Sequence, residues 1–353
     1  MVERPKKKNG REWETKPSGS AKPTLRTISE LTGLAVTTVS RALSNAPQLS
    51  LETRERVRKV ADEIGYLPDR AALRLKTGRT NVISLVLNPH QEILDFSNSI
   101  LKGLTLALRD TPLHLIITPT FENMSLTEPI EFIVRNRLAD GIIFTRTEPF
   151  DARVRLLLEN GFPFVTHGRT EFSTPHAFVD FDNSAFAYEA TRKLIARGRQ
   201  KLTMILPPRR LTFGQHLLHG FMTAVREAGV DYEIPTAVTL DSPAGMVRQF
   251  VAHRAGQPVP PDAYVCCGEV SALATISALA GQGLALGREY DIVAKQTSRL
   301  LTDIEPQVET IYEDLAEAGE AMGSLLIRAI AGAPPGDLQV LQSPRFDIPA
   351  DGK

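Results

Sequence analysis

From Asn81 onward, short apolar runs alternate with amphipathic stretches, and this alternation constrains the chain more than any other feature. Val82–Leu87, Leu113–Thr118, Gly141–Phe144, Phe164–Thr166, Ala177–Val179, Leu202–Leu206, Ala263–Cys267 and Tyr290–Ala294 read as strands. Helical stretches such as Ser99–Arg109, Ala185–Arg197, Gln215–Ala228 and Val270–Gly281 separate them. Parallel neighbours need a crossover, usually a helix, so the pattern predicts an α/β body of parallel sheets with helices on both faces. About 270 residues is too long for one such sheet and comfortable for two.

The residues before this body differ in texture and in charge. The whole chain of 353 residues is neutral, with 41 Lys and Arg against 41 Asp and Glu. Taken at face value, that argues against a nucleic acid or a membrane as partner. Residues 1–80, however, hold 17 basic against 9 acidic side chains, net +8, and the remainder, 24 against 32, carries −8. A basic head on an acidic body points to a polyanion partner for the head, the alternative being a solvated basic tail.

Within the head, residues 1–23 set Pro5, Pro17, Ser18, Gly19, Ser20 and Pro23 among charges and the only tryptophan, Trp13, without apolar periodicity. They read as a disordered basic extension, in which Lys6-Lys7-Lys8 is a solvated run or an unspecific phosphate attractor. From Thr24 to about Leu67, Ile28, Leu31, Val39, Leu43, Val57, Val60, Ala61 and Ile64 recur at helical spacing and predict three short helices sharing one small core. Thr24 and Ser50 are positioned as N-caps, Glu52 falls in the third helix's first turn, and Gly33 and Gly65 suit helix ends. Ala35, before Val36, is a poor cap.

Two helices of about eight residues, Leu25–Thr32 and Val36–Leu43, joined by a glycine turn and braced by a third, form a helix-turn-helix whose second helix suits the DNA major groove. Val36, Thr37 and Arg41 share one face of that helix; Arg41 can fork to guanine, and Val36 or Thr37 can touch a thymine methyl or a base edge. Thr38, Ser40 and Asn45 are short polar groups suited to phosphate oxygens. The alternative is a three-helix packing module with a solvent-exposed arginine. After Pro68, residues 69–79 are short, basic and closed by Gly78-Arg79, and read as a linker.

The stretch Thr24 to Leu43, with Thr38-Val39-Ser40-Arg41 on its second helix, Thr53-Arg54-Glu55-Arg56-Val57 on the third and Gly65-Tyr66-Leu67-Pro68 before the linker, resembles the DNA-binding head of the lactose/galactose repressor family of bacterial transcription regulators. The resemblance continues more loosely at Phe96 with Gly103, Ala139-Asp140-Gly141-Ile142-Ile143, Gly220-Phe221 and Gly281 to Gly287. It implies a small all-α helix-turn-helix head (24–68), a hinge helix (69–79) and a two-lobed body like a periplasmic sugar-binding protein (80–353). The first lobe would span 80–181 and 313–330, the second 182–312 and 331–353. It implies a homodimer on a near-palindromic double-stranded DNA operator, with Thr53 among the DNA contacts and Ala72 and Leu75 in the hinge motif that wedges the minor groove. Asp69 replaces the family's usual asparagine, and Ala35 its usual polar cap.

The resemblance also places a small sugar-like effector between the lobes, near Asp95, Phe96, Arg169, Gln215, His216, Glu269, Lys295 and Gln296. Here the chain departs from the family. Leu217 stands where neutral-sugar binders often have arginine, Gly268-Glu269 replaces Asn-Asp, and Ala294-Lys295-Gln296-Thr297 replaces Gly-Phe-Asp-Asp. Lys295 and Arg169 raise the expectation of an anionic effector, a sugar phosphate or sugar acid. The alternative is that Lys295 points to solvent and Arg169 pairs with Glu171 or Asp182.

Other motifs carry less. Gly281-Gln282-Gly283 follows a predicted helix, not a strand, and reads as a helix end. The seven histidines show no paired ligand spacing, no motif for a cofactor is found, and no Ser, Cys or carboxylate pair stands in the context of an activated nucleophile. Cys266 and Cys267 are adjacent and read as buried thiols. There is no apolar signal segment and no uncharged apolar span, so a cytoplasmic protein without a membrane partner is expected. The sequence therefore predicts an effector-responsive regulator, a repressor of carbohydrate or central carbon metabolism genes, and not an enzyme. The competing readings are a cytoplasmic α/β enzyme with a helical assembly module and a solute-binding transport component.

Overall fold

The structure, a computed structural model, describes residues 22–67, 74, 78–87, 96–121 and 124–346. Most of the expected disordered extension and of the hinge, including Ala72 and Leu75, lies outside them, as do Asp95 and the side chain of Phe96. The chain divides into two compact units, Met1–Arg79 and Thr80–Lys353.

The first unit contains α1 (Leu25–Thr32), α2 (Val36–Leu43) and α3 (Leu51–Glu63). Thr24 and Thr27 form a reciprocal cap, each side chain accepting from the other's backbone N–H, and Gly33 ends α1 at φ +68. Ser50 Oγ accepts from Thr53 N to start α3, whereas no side chain caps α2 at Ala35. Ile28, Val39, Ala42, Val57 and Ala61 form the core. Leu31, expected there, is exposed; Thr32 takes the buried place by donating its hydroxyl to Ile28 O at 2.7 Å.

The second unit holds two sheets. The first contains β1 (Val82–Leu87), β2 (His114–Pro119), β3 (Gly141–Thr145), β4 (Phe164–His167), β5 (Phe178–Phe181) and β11 (Gln339–Gln342), in the order β11-β5-β4-β3-β1-β2. The second contains β6 (Lys201–Ile205), β7 (Asp231–Glu233), β8 (Ala263–Cys266), β9 (Asp291–Gln296) and β10 (Glu309–Tyr312), in the order β10-β9-β8-β6-β7. Pairings among the described strands are parallel, as in Ile83 with Gly141 and Thr203 with Tyr264. Strands covered on both faces need continuous apolar runs, and β3 and β8 are buried at every position. Cys266 and Cys267 are buried thiols outside any disulfide, as expected.

Helices α4 (Phe96–Leu108), α5 (Glu128–Asn136) and α6 (Ala152–Glu159) connect strands of the first sheet, α8 (Thr212–Ala228), α9 (Ala244–Ala255), α10 (Glu269–Ala280) and α11 (Leu300–Ile304) strands of the second, and α7 (Asn183–Ala196) and α12 (Leu315–Ile330) each join a strand of one sheet to a strand of the other. None is long and apolar enough to cross a membrane. The chain passes from the first sheet to the second at Phe181–Asn183 and returns at Tyr312–Leu315. The expected placement of 331–353 in the second lobe is corrected for the residues of β11. β11 pairs with β5, Phe178 N donating to Leu338 O and Asp182 N to Gln342 O, so the segment after α12 closes the edge of the first sheet. Beyond it, Arg345 and Tyr312 exchange backbone hydrogen bonds, laying the last described segment beside the return crossover.

Two helix crossings are in backbone contact. A Cβ on Gly103 of α4 would lie 2.0 Å from Ala316 O of α12, one on Gly319 2.4 Å from Ile100 O, and one on Gly220 of α8 2.0 Å from Ser184 O of α7. Gly103→Ala is expected to lower stability by at least about 2 kcal/mol in thermal unfolding. Gly245→Ala, on α9 with open space around it, should not lower it.

Candidate functional site

In the head, α2 presents Val36, Thr37 and Arg41 to solvent while Val39 and Ala42 face the core. The three proposed base-reading side chains therefore share one free face. Thr38 and Ser40 are half-buried at its margin. Asn45 adopts φ +57 after the helix, and its Oδ1 accepts from Arg58 of α3, leaving the side chain its amide N–H₂ as donor. Thr53 Oγ1 shares a hydrogen bond with Ser50 Oγ at 2.8 Å, so that hydroxyl is part of the α3 cap. Arg56 donates to Thr32 O at 2.8 Å and braces the turn between the first two helices. Arg58 was not singled out from sequence; its spacing of four from Arg54 on α3 is the available cue.

In the body, the carboxyl ends of the strands of both sheets meet, which is where open parallel sheets place ligands. Lys295, at the end of β9, is buried. Its Nζ donates to Asn183 Oδ1 at 3.0 Å, lies 2.7 Å from Glu313 Oε2 and sits over the Phe181 ring at 4.9 Å. His167, ending β4, is 3.8 Å from the other Glu313 oxygen; burial lowers its pKa, so its ring is neutral at pH 7. Arg169 Nε lies 3.2 Å from Asp180 Oδ2.

The two cations that suggested an anionic effector are therefore committed to carboxylates of the protein. Lys295 does not point to solvent, and Arg169 pairs with Asp180 rather than with Glu171 or Asp182.

The remaining candidates separate. Glu269 is buried, and its carboxylate accepts from Thr297 N, Ser298 N, Ser298 Oγ and Thr297 Oγ1 at 2.7–3.3 Å, fixing the turn after β9. Gln296 is buried between Thr302 and Thr310, donating to both hydroxyls and accepting from Thr302. Both are internal supports. Gln215 is exposed on the first turn of α8. His216 beside it lies 3.5 Å from Glu171; burial first, and Arg169 second, lower its pKa.

Residues 80–331 match the family of periplasmic binding proteins and sugar-binding domains of the LacI family, and residues 24–69 match the bacterial regulatory proteins of the lacI family. The chain belongs to the LacI family. It is 31% identical to the HTH-type transcriptional regulator AglR of Rhizobium meliloti (strain 1021), over 87% of each chain. It is 30% identical to the HTH-type transcriptional regulator RafR of Escherichia coli, over 91% of this chain and 96% of RafR. Among solved structures, the lac repressor dimer bound to operator and the anti-inducer ONPF shares the fold with a TM-score of 0.77 at 19% identity, covering 92% of this chain and 97% of that one. The CelR–cellobiose complex gives 0.63 at 23% identity, covering 93% and 99%.

This LacI-family regulator binds DNA through the helix-turn-helix head. Its cleft uses partners that sequence reading did not single out, namely His167, Asp180, Asn183 and Glu313. Each lies at a strand end or crossover, where distant segments meet, and only Glu313 had a local cue, as an acid inside the return from β10.

Asp180 is pushed up to about 7 by burial; Arg169 offsets this in part, as its ion pair is not aligned as a hydrogen bond, and Glu313 adds to the rise. The folded protein thus holds this proton more tightly than the unfolded chain. The stability Asp180 contributes is full below about pH 4 and lost as pH rises to about 7. The buried His167 and His176, with lowered pKa values, act with the opposite sign. The difference between wild type and Asp180→Asn in denaturant titrations at several pH values isolates the group, and the wild type should lose stability relative to the variant between pH 4 and 7.

Proposed function

We propose that the chain is a cytoplasmic homodimeric repressor whose heads bind a near-palindromic operator and whose cleft takes a neutral sugar, with effector binding shifting the dimer between conformations of different operator affinity. The enzyme reading has no local support, since no nucleophile–base pair was found in the sequence and the curated relatives are transcription regulators. Assembly as a dimer and response to a sugar draw on the lac repressor dimer and on the CelR–cellobiose complex, proteins of the same fold.

The observation that carries the neutral effector is the pairing of the cleft's cations. Lys295 lies against Glu313, Arg169 against Asp180, Arg146 against Asp241 and Arg210 against Glu148. An anionic ligand would have to displace one of these groups or bind beside it, and an anion next to buried Glu313 meets repulsion with little water to screen it. Hydroxyl-rich neutral ligands carry no such penalty.

Thermal-shift screening tests this directly. Cellobiose, raffinose or another neutral oligosaccharide should raise the melting temperature, whereas stabilisation by glucose 6-phosphate or gluconate alone would overturn the assignment. On the DNA side, Arg41→Ala should relax preference at one base pair by about 1–3 kcal/mol in competition of a labelled operator duplex against variants, with sugar stabilisation intact.

A further inference from the structure

Three consecutive residues after β3 each contact the opposite lobe. The Arg146 guanidinium donates to Asp241, Thr147 O accepts from both the backbone N–H and the hydroxyl of Thr212 at 2.9 and 3.1 Å, and the Glu148 carboxylate accepts from Arg210 at 2.8 Å. Asp241 belongs to a turn tied to the second sheet, since Leu240 N donates to Leu206 O at the end of β6. Thr212 opens α8, and its preceding residue, Leu211, has no side chain able to cap a helix. The first free amide of α8 is thus satisfied from the other lobe, by a carbonyl that takes the place of a cap.

The segment that supplies these contacts is strained and braced. Arg146 sits at φ +60, a left-handed conformation that costs a non-glycine residue free energy and persists only where surroundings enforce it. The enforcement comes from Arg153, which is almost wholly buried. It donates to Arg146 O at 3.0 Å, forms a two-pronged pair with Asp151 at 2.7 and 3.0 Å, and stacks over Phe144 at 4.4 Å. Asp151 also accepts from Glu148 N at 3.0 Å. On the other side, Thr147 Oγ1 donates to Arg169 O at 2.9 Å, and Gly168, at φ +108, leaves the room, since a Cβ there would lie 2.7 Å from that hydroxyl. All the braces lie in the first lobe, and the three contacts they present lie in the second.

We propose that residues 146–148 form an interlobe clasp, with Arg146 and the Thr147 carbonyl as its closing elements and Asp151 and Arg153 as positioning residues that hold it in strained form. Closing the lobes completes the start of α8 and pairs Arg146 with Asp241; opening returns the Thr212 amide and both charges to water. A bistable contact of this kind is what an effector seated between the lobes can bias. That last step rests on the reading of the chain as an effector-responsive regulator; the clasp itself does not.

The test is hydrogen exchange on the full-length protein, followed in peptides covering residues 210–216 and, as references, β3 and β8. Asp241→Asn changes one partly exposed side chain and keeps its shape, so the fold should survive. Exchange in 210–216 should rise about tenfold, with β3 and β8 unchanged. Arg146→Gly should do the same through loss of the pair with Asp241 alone, because glycine adopts the same left-handed backbone without strain and still presents Thr147, while Arg146→Lys should restore most of the protection. A general loss of stability would raise exchange in all three regions, and unchanged exchange in 210–216 for both Asp241→Asn and Arg146→Gly would overturn the clasp. Operator binding by wild type, measured in parallel, reports separately on the regulator reading: its failure would sink that reading and leave the exchange result standing.

Discussion

An ammonium group and a carboxylate taken out of water together, Lys295 and Glu313, fix where the two halves of the body meet. Lys295 ends a strand of the second sheet, Glu313 lies in the segment that returns to the first, and Asn183, the lysine's other partner, opens the helix after the outward crossing. Such a pair does little for net stability compared with apolar packing, yet removing one member strands the other charge at a cost of about 3–5 kcal/mol. Its role is to make one arrangement of the crossovers far cheaper than its neighbours. The same commitment shapes recognition, because charges consumed by the protein are withdrawn from the ligand.

The DNA-binding head reaches its geometry by shorter-range means. Helix α1 is closed at both ends, by the Thr24–Thr27 reciprocal cap and by Gly33, and α3 by Ser50 and the turn at Gly65. Helix α2 has neither a polar cap nor an acidic first turn and depends on its neighbours, with Val39 and Ala42 in the core and Asn45 held by Arg58. The helix least able to stand alone is thus the one that presents the exposed Val36, Thr37 and Arg41, and it is positioned from its C-terminal end.

The head was almost fully legible because its determinants are local. Thr24, Gly33 and Ser50 act on residues within one turn of themselves, and composition near them reports the outcome. The parallel core was legible too, since β3 and β8 must be apolar throughout. The edge strands β7, β10 and β11 were not, because Asp231–Glu233, Glu309–Tyr312 and Gln339–Gln342 are short, part-solvated and polar enough to resemble loops. In the cleft, sequence located Lys295 and Arg169 but not the carboxylates opposite them. Partner identity there depends on which strand ends converge, and no local pattern encodes that convergence. Glu269 and Gln296, expected near the effector, have their side chains hydrogen-bonded to neighbouring residues of the protein, which local sequence does not reveal either.

The glycine contact between α4 and α12 bears on how motion spreads through the first lobe. Helix α12 begins two residues after Glu313, behind its N-cap Asp314, and at Gly103 and Gly319 it meets α4 backbone to backbone, with no layer of side chains between them to rearrange. Side chains absorb small displacements by changing rotamer; two backbones in contact have no such compliance. The return crossover and α4 are thus joined without a compliant layer between them, and a bulkier residue at either glycine would have to push two backbones apart.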